Sequence, residues 1–87
     1  MADIKPGDDF AKDIAARARW ALIHNDGWPK PAWSTGERLA VALVLDDPAA
    51  IEREGFTALQ ALRRLAGDIG GTPADAAVWI ERVQATL

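Results

Sequence analysis

Residues 34 to 45 read STGERLAVALVL, and the seven apolar residues from Leu39 to Leu45 carry no polar face at all. Such a run fits a helix buried all round or a buried strand, and periodicity does not choose between the two. The residues in front of it do choose. Ser34-x-x-Glu37 is a capping box, in which the Ser34 hydroxyl and the Glu37 carboxylate each satisfy a backbone N–H that a helix start leaves unpaired. No second convincing strand occurs elsewhere to act as a ladder partner. The run is therefore read as a central helix with Leu43 buried on every side, and the fold class follows as all-α.

The flanking sequence supplies its neighbours. Upstream, a helix is expected from Asp8 or Asp9, whose carboxylates suit the positive end of the helix dipole, to about His24. Phe10, Ile14, Ala18, Ala21 and Leu22 make one apolar stripe on it, and Ala16, Trp20 and Ile23 a second. Asn25, Asp26 and Gly27 end it, Gly27 in the left-handed conformation that closes helices. Downstream, Asp47-Pro48 pairs an N-cap with proline at the first helical position, opening a short helix that Gly55 closes. Thr57-x-x-Gln60 repeats the capping box. It leads into a helix with Leu59, Leu62, Leu65, Ala66 and Ile69 inward and Gln60, Arg64 and Asp68 in water. Gly70-Gly71 then separates it from a last helix begun by Thr72-Pro73, with Ala76, Trp79, Ile80, Val83 and Leu87 inward. The sum is a single domain over residues 1–87: four main helices and one short one, preceded by a flexible arm over 1–7 and interrupted by a Trp/Pro loop over 25–33.

At 87 residues, with 49% hydrophobic and 26% charged side chains, the chain is of ordinary globular composition and long enough for one core. It has no cysteine, which removes disulfides, thiolate metal sites and thiol nucleophiles. A basic n-region with an apolar h-region is missing from MADIKPGDDF, so a cytoplasmic protein without membrane contact is expected. The formal charge of −3 gives no long-range attraction to nucleic acid.

Chemistry-bearing groups are few. His24, the lone histidine, sits where a helix C-terminus favours a partly positive ring, a capping role. Asp46, Asp47, Glu52 and Glu54 lack the alternating spacing of a calcium loop, and Asp47 is accounted for as a cap. No glycine-rich phosphate loop is present. No catalytic residue, metal site or cofactor is expected, and the protein is read as not an enzyme.

Two segments suggest partners. Leu62 to Val83 is similar to the helix-turn-helix of repressors, with Ala66 inside the first helix, Gly70 in the turn and Thr72 capping the second. It departs at Gly71, where an apolar residue usually packs, and its second helix offers Asp75 and Glu81 beside a single basic reader, Arg82. A DNA-binding regulator using residues 62–83 is thus the alternative, and nucleic acid the less favoured partner. The other segment is GWPKPAW, residues 27 to 33. Pro29 and Pro31 stiffen the path between Trp28 and Trp33 toward a polyproline-like course, so little entropy is lost when another surface docks on it. Rigid aromatic side chains are the anchors that interfaces use. The competing reading folds both indoles over the core, and Trp33, directly before the Ser34 cap, suits a hydrophobic staple. A protein partner is expected on the surface of Trp20, Trp28, Lys30 and Trp33, in an oligomeric state that the sequence leaves open.

WSTGERLAVALVLDD, followed by GFTALQALRRLAGDI, resembles the small accessory proteins of actinobacterial phages of the mycobacteriophage type. The resemblance covers about residues 33–69 and rests on general texture, alanine-rich and with arginine preferred to lysine. It implies a viral protein expressed in the host cytoplasm that binds and modulates a host protein, and it carries over no functional residue.

Overall fold

The computed structural model describes residues 8–87, so the arm expected over residues 1–7 lies outside the described residues. Five helices follow one another: α1 Asp8–His24, α2 Thr35–Val44, α3 Pro48–Arg53, α4 Ala58–Ile69 and α5 Pro73–Gln84. No strand occurs among the described residues, and the all-α reading holds. Each boundary has a local cause. Ser34 and Glu37 form the reciprocal cap of α2, with Glu37 N donating to Ser34 Oγ at 3.2 Å and Ser34 N to Glu37 Oε1 at 2.9 Å. Thr57 and Gln60 do the same for α4. A third box, Thr72 with Asp75, opens α5, so Asp75 acts as a cap where the repressor resemblance would place a base-facing residue. Asp47 caps α3 before Pro48. Asp26 and Gly27 both take positive φ, 54° and 83°, to turn the chain out of α1.

α2 is the hub, packed against all four other helices. Two apolar clusters meet on it. The larger joins Ile14, Ala18 and Ala21 of α1 to Val41 and Val44 of α2, Leu65 and Ile69 of α4, and Ala76, Trp79 and Val83 of α5. Phe10 stacks on Trp79 at its edge, ring centroids 5.6 Å apart. The smaller gathers Leu39, Ala42, Ala50, Ile51 and Ala61 where α2, α3 and α4 meet. The small residues along α1 and α2 let helix axes approach closely. Gly36 makes the point: a Cβ there would stand 2.9 Å from an Asp68 carboxylate oxygen. Among the described residues no polar or charged side chain is fully buried, so burial of apolar surface carries this core.

Several expected core positions are not core. Leu43 is only half-buried, because it stands where the two clusters meet and neither closes over it; the fully enclosed residues of α2 are Leu39, Ala40, Val41 and Ala42. Leu22, Leu59 and Leu87 are 54%, 52% and 44% exposed. For the first two the reason is the face and not the position along the helix, since Ala21 and Ala61 close by are fully buried. Ala61, a residue with too little apolar weight to mark a stripe, is fully buried in the smaller cluster instead. The second stripe of α1 is also left largely open, since Ala16 is exposed and Ile23 is 73% exposed.

Candidate interaction surface

The loop over residues 25–33 leaves α1 by hydrogen bonds from Asn25 N and Gly27 N to the Ala21 carbonyl, at 3.0 and 2.8 Å. The Asn25 side-chain amide then donates to the Trp28 carbonyl at 2.8 Å. Residues 28–30 belong to no helix or turn, and the chain then turns, Trp33 N donating to Lys30 O at 3.1 Å. A polyproline-like course therefore does not run the whole way from Trp28 to Trp33. What holds the rest is Arg38. Its guanidinium donates to the Pro31 carbonyl at 3.0 Å, to the Trp33 carbonyl, and to both carboxylate oxygens of Glu54 at 2.8 and 3.0 Å. The Glu54 hydrogen bond is the main reason that Arg38 is held protonated even more firmly than an ordinary arginine. One side chain thus fastens the loop to α2 and to the end of α3. Because the N4 position of α2 is this arginine, the hydrophobic staple expected of Trp33 does not form; N4 meets the Trp33 backbone through a hydrogen bond instead.

The indoles of the loop part company. Trp33 lies against the larger cluster and meets Trp20 edge to face, centroids 5.4 Å apart. Arg17 stands over its ring, Cζ 5.0 Å from the centroid, while pairing with Asp13 at 2.9 Å and Glu37 at 2.8 Å. Hydrogen bonding from Ser34, chiefly its backbone N–H, holds the Glu37 carboxyl below its usual pKa, and Arg17 adds to this. Trp20, an indole on the charged side of α1, is thereby covered by the loop: Trp33 on one side, Lys30 Nζ 5.6 Å from its centroid, and the exposed His24 at 5.8 Å. Trp28 goes the other way, onto the smaller cluster, with Arg53 Cζ 5.1 Å from its ring centroid. It lines an open-sided pocket of about 290 Å³ with Pro29, Pro31, Ala50, Arg53 and the Arg38–Glu54 pair.

Of the four residues expected to form a partner surface, three are thus gathered together, Trp20, Lys30 and Trp33, and Trp28 lies apart beside α3. All three indoles are half-buried and Lys30 is exposed. Arg17, Arg38, Arg53 and Glu54 lie in the same region and were not among the residues expected there, because the pairs Arg38–Glu54 and Trp28–Arg53 join residues of different helices and loops that no spacing rule links. The repressor-like segment is a pair of helices joined through left-handed Gly70, φ 71°. Gly71 is required for a reason foreign to that motif: a Cβ there would lie 2.8 Å from the capping carboxylate of Asp75. Among the described residues no cluster of histidine and carboxylate side chains suits a metal ion, and no helix is long and apolar enough to cross a membrane. The chain matches no family model, and neither a curated protein nor a solved structure aligns with it significantly.

Proposed function

We propose that the protein is a non-enzymatic binding or modulating protein that engages a protein partner through Trp20, Trp28, Lys30 and Trp33. The setting implied by the sequence resemblance, a phage protein acting on a host protein in the host cytoplasm, belongs to the same proposal. The observation that supports it is the state of the indoles. Each of the three carries a cation over its ring, keeps part of its surface in water, and sits on or against a loop fastened by Arg38 and Asn25. Aromatic side chains held in this way lose little entropy on docking. The regulator reading through residues 62–83 has the paired helices α4 and α5 in its favour, but α5 presents Asp75 and Glu81 among its exposed residues, and phosphates repel carboxylates.

The test is affinity capture from actinobacterial host lysate, followed by titration of the purified candidate with wild-type protein and with Trp28→Ala. The variant is expected to weaken binding by about 2 kcal/mol or more while its melting stays within about 1 kcal/mol of wild type. Equal affinity for wild type, Trp28→Ala and Trp33→Ala would sink the proposal. Tight, salt-sensitive DNA binding that Arg82→Ala diminishes would replace it with the regulator.

A further inference from the structure

Among the described residues four cations lie in or against the loop, and they are not equivalent. Arg17 is neutralised by Asp13 and Glu37, and Arg38 by Glu54. Lys30 and Arg53 form no ion pair among the described residues, and each lies over an indole. Arg53 is the better placed of the two. It is exposed, it ends α3, and it stands at the pocket beside Trp28. Among the described residues the one carboxylate that lines this pocket, Glu54, already gives both of its oxygens to Arg38. The pocket therefore has an apolar wall of Trp28, Pro29, Pro31 and Ala50, and a cation that makes no ion pair among the described residues.

We infer that the pocket between the Trp28 loop and α3 takes an acidic peptide segment of the partner, with a carboxylate on the Arg53 guanidinium and an adjoining apolar side chain against Trp28. Charge complementarity selects the occupant. A guanidinium presents paired donors that match a carboxylate in bidentate geometry, and contact with the indole restrains Arg53, so less rotamer freedom is lost on capture. A basic segment is disfavoured at the same place, since Arg53 would repel it and Glu54 is not free to compensate. The pocket volume of about 290 Å³ has room for one or two side chains. The inference rests on the protein-binding reading and adds the chemistry of the partner.

The test uses the full chain and two capped tetrapeptides, Ala-Leu-Glu-Ala and its uncharged counterpart Ala-Leu-Gln-Ala. The readout is the indole N–H resonances, with that of Trp28 assigned by Trp28→Phe. The glutamate peptide is expected to move the Trp28 resonance and to bind about tenfold tighter than the glutamine peptide. Added salt should weaken it, and Arg53→Gln, a change at an exposed position, should abolish the difference. Equal responses to the two peptides, a preference that survives Arg53→Gln, or no response of Trp28 at about 10 mM peptide would each overturn the inference. These failures are separate from that of the protein-binding reading, because a partner captured through Trp33 and Trp20 would remain sensitive to Trp33→Ala and indifferent to Arg53→Gln.

Discussion

Trp33 and Trp28 stand five residues apart in one loop and are both half-buried, yet they serve different cores. Trp33 is held from three sides: the larger cluster beneath it, the edge of Trp20, and an Arg17 guanidinium already fixed by Asp13 and Glu37. Trp28 rests on the smaller cluster, and its other contacts are Arg53, exposed, and an open pocket. Partial exposure has two meanings here. For Trp33 it is the residue left by a network that closes over α1, whereas for Trp28 it is one wall of a cleft. Removing Trp33 takes a ring from the faces of both Trp20 and Arg17 and uncovers part of the larger cluster; removing Trp28 empties a place that already opens to water.

The widest separation between the two is expected in stability. Trp33→Ala should cost about 2 to 3 kcal/mol in denaturant melts, less than a fully buried tryptophan, whereas Trp28→Ala should cost about 1. Equal losses would erase the distinction and make the whole loop a lid over the core.

A smaller effect sharpens the comparison through Arg38, which binds the carbonyls of Pro31 and Trp33. Arg38→Ala should destabilise by about 1 to 2 kcal/mol, because Glu54 is left without its partner on a largely covered carboxylate and two loop carbonyls lose a donor. Amide exchange should rise more at Trp33 than at Trp28, whose carbonyl is tied separately by Asn25. Uniform protection across both amides would show that Arg38 does not fasten the loop.

The smallest expected effect is on pH dependence and belongs to the Trp33 side alone. Glu37 has a folded pKa lowered from 4.5, mainly by the Ser34 backbone hydrogen bond. Its contribution is therefore complete above about pH 4.5 and lost as the pH falls through the lower folded value, since the unfolded chain then binds more protons. Glu37→Gln should remove part of this acid sensitivity and cost about 1 kcal/mol or less at pH 7. An acid profile identical to wild type would show that the Ser34–Glu37–Arg17 chain adds no stability.

Where the helices begin and end was legible because it is decided within four residues. Ser34 with Glu37, Thr57 with Gln60 and Asp47 before Pro48 each satisfy backbone groups of their own first turn, and Gly27 and Gly70 take the positive φ that releases a helix. The Thr72–Asp75 box was open to the same reading, through the shorter acid at the third position. The seven-residue apolar run likewise determined that α2 would lie at the centre, because no other arrangement hides a helix apolar on all sides. The sequence did not determine which of its inward-ranked leucines a neighbour would reach. Leu22 and Leu59 have the same apolar weight as Leu65, and only the reach of the packed helices separates 54% and 52% exposure from 2%. Nor did it determine the two seats of the loop. The Arg38–Glu54 clamp, the Arg17–Glu37 pair and Arg53 over Trp28 come from residues 16, 20 and 25 positions apart, brought together by the packing of α1, α2, α3 and the loop. Caps read out in sequence because their hydrogen bonds close within four residues; the chemistry of this surface belongs to the tertiary structure because its charged groups come from helices and a loop far apart in the chain.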